Sequence, residues 1–241
     1  MHEHDHDHGA EGDAHGSHAH PPLQKDHDAG TMSPYEVLEE ALRSLLIEKG
    51  ILSAEEIAGA VDLMDSRSPA LGAKVIARAW VDPAFKKRLL KDTRAALLEL
   101  DIDIGTIAEF ATVENTPEVH NVIVCTLCSC YPKMLLGLPP AWYKSLAYRS
   151  RTVVDPRGVL GEFGLELRGD VEVRVHDSTA DLRYLVLPMR PKATRGWSEA
   201  ALAAIVTRDC MIGTALPRVT AKAGPRRSTS TQKRHPRGCL L

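Results

Sequence analysis

The chain has 241 residues, of which 44% are hydrophobic and 26% are charged, a balance typical of a soluble globular protein. Only 5% of the residues are aromatic, so we expect an aliphatic core. No apolar run approaches the roughly 18 residues of a membrane span, and the polar N-terminus carries no apolar secretory segment. We therefore expect one cytoplasmic domain with arms, and no membrane partner.

The net charge of −2 conceals two tails of opposite character. Residues 1–32 hold eight of the eleven histidines and little that could bury a core, so they are predicted to be a disordered tail. A role in gathering divalent metal is the second interpretation of this tail. Residues 218–241 hold seven Lys/Arg and no acid, and they are predicted to be a basic disordered tail. Because this tail lacks aromatics and helical periodicity, we expect no nucleic-acid partner.

Helical patterns follow the first tail. The Ser33-Pro34 pair is a helix cap with proline at the first helical position, and apolar pairs recur behind it at helical spacing. Four helices are predicted in this stretch: residues 34–49, residues 53–64, residues 69–80, and residues 83–100 behind the cap Asp82. Since none of them carries a group of residues typical of a catalytic or metal-binding site, residues 33–103 are predicted to be a helical N-terminal arm.

Strands appear in the second half of the chain, where β-branched residues become frequent. Four strands are predicted, at residues 110–115, 121–125, 171–177 and 182–188. Three helices are predicted beside them, at residues 139–154, 155–163 and 198–211. Helices and strands do not alternate regularly, which favours an α+β fold over a doubly wound parallel sheet. Residues 104–217 are therefore predicted to form the α+β domain that carries the chemistry.

Three of the five cysteines lie together in the sequence "VCTLCSCYP", residues 124–132. Five is an odd number, so this cluster indicates metal or redox chemistry rather than a disulfide framework. Structural zinc needs four ligands, usually in two separated pairs. The fourth ligand would have to be Cys210, Cys239, His120 or His176. An iron–sulfur cluster meets the same shortage of ligands.

The segment Cys128-Ser129-Cys130 offers a different donor set. If the amides of Ser129 and Cys130 lose their protons, two sulfurs and two nitrogens can chelate one ion in a near-square plane. Cys125 can then reach the axis, and a sixth position stays open for water or substrate. Five anionic donors favour a small trivalent ion, and a small residue at position 129 lets the loop close. Such an ion would act as a Lewis acid, and the sulfurs beside it could be oxidised.

The motifs "VCTLCSCYP", "LGLPPAWYKS", "DPRGVLGEFG" and "VRVHDSTADLRYLVLPMRP" resemble the α-subunit of nitrile hydratase, from about Pro34 to Pro217. Thr126 resembles the cobalt branch of this family, whereas the iron branch carries serine at this position. The resemblance implies a helical N-terminal arm followed by a layered α/β/β/α domain with the metal loop. It also implies a nitrile as the small-molecule substrate, and an amide as the product.

The resemblance further implies a role for each residue of the loop. Cys125 would be the axial thiolate, Cys128 a cysteine sulfinate and Cys130 a sulfenate. Ser129 and Cys130 would supply the amide nitrogens to low-spin Co(III), with Fe(III) the less expected metal. Water activated by the metal, or the Cys130 sulfenate oxygen, would attack the nitrile. Arginines of a separate β-subunit would hold the oxidised sulfurs, so this chain alone should be inactive, and a metallochaperone or activator is expected.

Five positions outside the loop are also singled out by the resemblance. Asp177 and Asp181 resemble a pair of acids behind the site, and Arg183 matches an arginine at the subunit interface. The alternative for the two acids is a capped turn, in which Asp bonds its own backbone. The family often carries glutamine where this chain has Thr106, and an aromatic residue where it has Lys133. Both positions lie near the family's substrate channel, so substrate preference is left open.

Three alternatives to a nitrile hydratase subunit remain. The metal-bearing subunit of thiocyanate hydrolase shares the C-T-L-C-S-C motif. A non-catalytic cobalt- or zinc-binding module would use the same loop with reduced cysteines and no turnover. A nucleophilic triad has little support, because only His120, His176 and His235 lie outside the N-terminal tail, and none lies in a motif of that kind.

Overall fold

The computed structural model describes residues 33–128 and 130–219. Contacts divide the chain into two compact units, one within Met1–Ala54 and one within Glu55–Leu241. The predicted tail at residues 1–32 and nearly all of the predicted tail at 218–241 lie outside the described residues. The boundary between an arm and a catalytic domain near residue 103 stays a prediction.

The first unit contains helix α1, Pro34–Glu48. Ser33 caps it, because its hydroxyl accepts a hydrogen bond from the Glu36 amide at 3.2 Å while the Glu36 carboxylate accepts one from the Ser33 amide at 2.5 Å. This reciprocal pair satisfies two amides at the helix start, so the helix begins at the predicted residue. Along its length, Val37 and Leu38 are more than half exposed.

Ten further α-helices follow among the described residues. They are α2 (Ala54–Asp65), α3 (Pro69–Val81), α4 (Pro83–Lys91), α5 (Thr93–Leu98), α6 (Lys133–Leu136), α7 (Ala141–Lys144), α8 (Leu146–Val154), α9 (Pro156–Glu162), α10 (Glu199–Ala203) and α11 (Arg208–Ile212). None of the helices in the described part of the chain is long and apolar enough to cross a membrane.

Three predicted helices are each divided in two, and a capping residue marks every division. Asp92 accepts a hydrogen bond from Ala95 and starts α5, where one helix over 83–100 was predicted. Ser145 starts α8 within the predicted helix 139–154, and Thr207 starts α11 at the end of the predicted helix 198–211. A side-chain oxygen that accepts a hydrogen bond from an amide in the first helical turn stabilises the start of a helix. A new helix therefore begins after each of these residues.

Four strands form two parallel pairs. Strand β1 (Glu109–Glu114) pairs with β4 (Leu182–Leu187), and β2 (Val119–Val124) pairs with β3 (Glu172–Asp177). All four lie within two residues of their predicted positions. Two short sheets with helices gathered around them confirm the α+β class, and no doubly wound sheet occurs in the described residues.

The core of the second unit is mainly aliphatic, as predicted from the composition. Its fully buried members include Ile76, Leu89, Leu97, Ile123 and Leu185, which come from three helices and two strands. Each such side chain contributes about 1.5–3 kcal/mol on burial. A smaller group of aromatic rings, Trp142, Tyr143, Tyr148 and Phe163, packs edge to face. The first three rings come from α7 and α8, and Phe163 follows α9. Tyr148 also donates to the Ile123 carbonyl at 2.6 Å, in the strand that leads into the cysteine loop.

Candidate metal centre

The cysteine loop begins where a buried strand ends. Val122, Ile123 and Val124 are fully buried at the end of β2, and Cys125 follows them at 1% exposure. In the parallel register, Val124 lies opposite Asp177, the last residue of β3. The carboxyl ends of both strands therefore meet at one edge, and this edge presents the loop and the carboxylate together.

The structure brings the three cysteine sulfurs together. The Cys125 and Cys128 sulfurs lie 3.3 Å apart, and those of Cys128 and Cys130 lie 3.0 Å apart. For metal–sulfur bonds of about 2.3 Å, two thiolates at a right angle are about 3.3 Å apart, and two tetrahedral thiolates are about 3.8 Å apart. The spacing therefore fits right-angle coordination of one ion better than a tetrahedral zinc site.

The surroundings of the sulfurs differ. Cys125 and Cys130 are buried, whereas Cys128 is exposed. Burial, aided by the hydrogen bond that the Cys130 thiol donates to Cys128, raises the pKa of this thiol to about 12, and the positive charge of Arg183 opposes this rise. Without a cation, the Cys130 thiol stays protonated at neutral pH. A bound metal ion would have to displace this proton, since the thiolate is the ligand.

Asp177 holds the first turn of the loop. Its carboxylate accepts one hydrogen bond from the Thr126 amide at 3.0 Å and a second from the Thr126 hydroxyl at 2.6 Å. These bonds join two residues that are 51 positions apart in the chain, so they do not form a local capped turn. They fix the backbone between Cys125 and Cys128 from the side of β3.

Two residues that the sequence did not single out also hold the loop. Arg149 donates to the carbonyl oxygens of Cys125 and Thr126, at 3.1 and 2.9 Å. Tyr143 donates its phenol proton to the Cys130 carbonyl at 2.9 Å, and burial raises the pKa of Tyr143, which keeps this donor protonated. Both residues lie in the "AWYKSLAYR" stretch, whose two tyrosines are buried. A buried tyrosine hydroxyl usually has a hydrogen-bond partner, and this requirement is the signal that could have identified Tyr143.

Arg183 and Asp181 occupy different surroundings near the loop. The Arg183 guanidinium donates to the carbonyls of Tyr131 and Ala180, at 3.2 and 3.1 Å, while its buried Nε has no hydrogen-bond partner among the described residues. The exposed Asp181 contributes its own backbone carbonyl, which accepts from the Glu109 amide at 2.7 Å. The carboxylate of Asp181 forms no ion pair with any residue in the described part of the chain.

The two histidines considered as further ligands are already engaged elsewhere. His120 bonds the Gly213 carbonyl through Nε2 at 2.7 Å and the Asn115 side-chain amide through Nδ1 at 3.2 Å. His176 donates from Nε2 to the Asn121 side chain at 2.8 Å. Burial lowers the pKa of both histidines, so they remain neutral members of a hydrogen-bonded network.

Within the described residues, the potential metal-binding group near the loop consists of Cys125, Cys128 and Cys130, whose ligand atoms all lie within 4.8 Å of one another. The buried Cys210 instead contacts the Thr207 hydroxyl at 3.2 Å. Ser129, predicted to supply an amide nitrogen, lies outside the described residues. A chelate of three sulfurs without a histidine fits the donor set expected for a trivalent ion.

The two positions at which the sequence departs from the family pattern lie on the surface of the molecule. Thr106 and Lys133 are both exposed. Lys133 begins α6 directly behind the loop, and it lines a small cleft together with Tyr131, Met134 and Arg183. Lys133 therefore stands beside the cysteine loop, whereas Thr106 is not among the residues that line this cleft.

These features define the class of protein: an α+β chain that presents a three-cysteine metal loop at the carboxyl end of a parallel strand pair. The family model described as "Nitrile hydratase, alpha chain" matches residues 33–215. The chain belongs to this family of nitrile hydratase α-chains.

The individual relatives include nitrile hydratase chains and a thiocyanate hydrolase subunit. The low-molecular weight cobalt-containing nitrile hydratase subunit alpha of Rhodococcus rhodochrous is 50% identical over 185 residues, which cover 76% of this chain and 89% of the relative. Thiocyanate hydrolase subunit gamma of Thiobacillus thioparus is 43% identical over 198 residues, covering 78% and 82%. A solved structure of a double mutant of the Fe-type nitrile hydratase from Comamonas testosteroni Ni1 superposes with a TM-score of 0.72 at 40% identity, covering 86% and 96%.

Proposed function

We propose that this chain is the metal-bearing subunit of a nitrile hydratase, which adds water to the C≡N bond of a nitrile and releases the amide. The observation that carries the proposal is the right-angle spacing of the Cys125, Cys128 and Cys130 sulfurs at the end of β2. The match of the family model to residues 33–215 supports it.

The proposed ligands are the three cysteine sulfurs together with the amide nitrogens of Ser129 and Cys130. Cobalt is the proposed metal, in the trivalent state, because five anionic donors favour a small trivalent ion and the Rhodococcus relative is cobalt-containing. Iron is the second candidate, since the Comamonas neighbour is of the Fe type. Cys128 is proposed to become a sulfinic acid and Cys130 a sulfenic acid before turnover, in an oxidation that passes six electrons in total to an external oxidant such as dioxygen or a peroxide.

The bound metal would supply Lewis acidity to the open position beside the sulfurs. Cys130, as the sulfenate, and the neighbouring Ser129 are the proposed catalytic residues of this chain, and the sulfenate oxygen can approach the nitrile carbon or take the proton of the attacking water. Cys130 is held in place for this task by the Tyr143 phenol, which donates to its carbonyl. Overall, one nitrile and one water give one amide, so no oxidant or reductant is consumed.

Three residues outside the loop have proposed supporting roles. Asp177 fixes the loop through its two bonds to Thr126, which makes it a positioning residue. Arg183 holds the chain beyond Cys130 through the Tyr131 carbonyl. Asp181 is proposed to act from the outer edge of the site, where its exposed carboxylate is available to water or to a partner chain.

A β-subunit is the proposed partner, and activity is proposed to require it. The exposed Cys128 supports this proposal, because a second chain would have to cover that sulfur to exclude bulk water from the reaction. The exposed apolar face of α1 is proposed to pack on the same partner. A metallochaperone or activator for metal insertion and a cytoplasmic location complete the proposal.

Thiocyanate hydrolase is the second candidate function, and the 43% identity to the Thiobacillus subunit favours it over unrelated alternatives. A non-catalytic metal-binding module is the third. The three differ in observable products: an amide from a nitrile, carbonyl sulfide from thiocyanate, or bound metal without turnover.

The test is co-expression with the β-subunit in cobalt-supplemented cells, followed by product analysis with acrylonitrile and thiocyanate side by side. We expect amide, one tightly bound cobalt, and mass increases of about 32 Da on Cys128 and about 16 Da on Cys130. Cys125→Ala should lose the cobalt, whereas the matched control Cys210→Ala, outside the cluster, should retain it. Carbonyl sulfide without amide would assign the chain to the thiocyanate hydrolase branch. Bound cobalt with reduced cysteines and no product would instead support the non-catalytic metal-binding module.

A further inference from the structure

A small cleft adjoins the cysteine loop on the side of α6. Its volume is about 20 Å³, which is room for about one water, so a larger ligand would lie across its mouth rather than inside it. Tyr131, directly after Cys130, forms one wall, and the half-buried Met134 another. Ile107 lies at the rim, 78% exposed. A substrate approaching Cys130 from this side would pass along these apolar side chains.

The charged residues of this cleft are both positive. Lys133 and Arg183 line it, and no carboxylate does. Lys133 forms no ion pair among the described residues, and the described hydrogen bonds of Arg183 go to two neutral carbonyls. The nearby Glu109 lies 3.6 Å from Arg94, which leaves the cleft without a counter-charge from β1.

One further polar group points to a missing partner. The Nε of Arg183 is buried and has no hydrogen-bond partner among the described residues, although a buried donor of a charged group normally has one. An anionic oxygen is the strongest acceptor for such a donor, and the guanidinium and the Lys133 ammonium would share its charge. The cleft is therefore complementary to a negative charge placed a short distance from the sulfurs.

We propose that the enzyme prefers short aliphatic nitriles that carry a carboxylate, with the C≡N group directed to the cysteine loop and the carboxylate directed to Lys133 and Arg183. The proposal rests on the proposed nitrile hydration. Ile107 and Met134 would contact the methylene groups between the two ends. Lys133, which stands where the resemblance predicts an aromatic residue, becomes the residue that determines specificity.

The expected size of the effect follows from one unit charge. Two charges about 8 Å apart in an effective dielectric of about 20 to 60 interact strongly enough to change a rate ratio by roughly 3- to 30-fold. Because the cleft is open, the effect should shrink as added salt shortens the screening length. A purely steric role of the lysine would not depend on salt.

The experiment uses the cobalt-loaded complex with the β-subunit and two substrates of similar length, 3-cyanopropanoate and pentanenitrile. The quantity measured is the ratio of their kcat/KM values in wild type, Lys133→Met and Lys133→Arg, at about 0.02 and about 0.5 M salt. We expect Lys133→Met to lower the anion-to-neutral ratio roughly 3- to 30-fold, Lys133→Arg to retain it, and high salt to reduce the difference. An equal ratio in wild type and Lys133→Met would overturn the inference.

Failure of the proposed function can be distinguished from failure of this inference. Turnover of pentanenitrile with an unchanged ratio overturns only the preference for anions. If neither nitrile is hydrated, nitrile hydration itself is refuted, and calorimetric Kd values for 3-cyanopropanoate then decide about Lys133. Weaker binding to Lys133→Met than to Lys133→Arg would support the cationic cleft, and equal binding would overturn it.

Discussion

Removing the Asp177 carboxylate should loosen the metal loop without unfolding the chain. In Asp177→Ala, the Thr126 amide and hydroxyl both lose their acceptor, and these bonds measure 3.0 and 2.6 Å. A buried hydrogen bond to a charged group is worth about 1.5–3 kcal/mol, but water can replace the acceptor at this exposed site. We therefore assign about 0.5–1 kcal/mol to each bond, which together corresponds to a 5- to 30-fold larger open population of the loop.

The assay is the rate at which a strong chelator removes cobalt from the loaded complex. We expect a 5- to 30-fold faster loss in Asp177→Ala and an intermediate rate in Asp177→Asn, since the amide oxygen can still accept from the Thr126 amide. The control is Asp170→Ala, which removes another exposed carboxylate from a surface ion pair with Arg168.

A double variant isolates the contact itself. Thr126→Val removes the hydroxyl but keeps the amide, so its effect and that of Asp177→Ala should be less than additive. If Asp177→Ala releases cobalt at the wild-type rate, or if the two changes simply add, Asp177 does not hold the loop through Thr126.

Three further predictions concern stability. Tyr143→Phe leaves the Cys130 carbonyl without its donor and should lower the free energy of unfolding by about 1–3 kcal/mol in urea titrations; an unchanged midpoint would contradict the role of the phenol. Gly213→Ala should cost more than about 2 kcal/mol, because Gly213 has φ +97° and a Cβ there would lie 2.1 Å from the Asn121 carbonyl oxygen; wild-type melting would refute this packing. Burial lowers the pKa of His120, so the unfolded chain binds the proton first as the pH falls, and stability present above about pH 6.5 should decline below it by up to about 1.4 kcal/mol per pH unit. His120→Gln should show a smaller fall between about pH 7.5 and 5.5, and an equal fall would assign the effect to other groups.

Local chemistry could be predicted from the sequence wherever one residue and its near neighbours decide the outcome. The capping pair of Ser33 and Glu36 starts α1 at the predicted residue, and the spacing of the three cysteines predicted that their sulfurs would lie together. The same local logic explains the errors. Asp92 and Ser145 are cap residues inside otherwise helical patterns, and the apolar periodicity outweighed them in the prediction although each cap divides its helix.

Long-range partners could not be predicted. The pairing of β1 with β4, and of β2 with β3, is parallel and joins segments far apart in the chain, and neither strand pattern specifies its partner. Arg149 and Tyr143 contact the loop from α8 and α7, which lie within the single helix predicted over 139–154, and the sequence did not show how either side chain is oriented. The acidic residues behind the loop were expected to act as a pair, yet only the Asp177 side chain contacts the loop among the described residues.

The register of β2 against β3 has a consequence for the order in which the site is made. During synthesis, all three cysteines leave the ribosome long before Asp177, which lies 51 residues beyond Thr126. A shift of one residue between the two strands would turn the carboxylate to the opposite face and leave the loop without it. Until Asp177 has been synthesised and β3 has paired with β2, the three cysteines lie on an unfolded segment. Only the folded chain presents their sulfurs in a fixed arrangement. If the metal is inserted after folding, the geometry of the folded site, rather than the intrinsic affinity of thiols for metal ions, selects the ion.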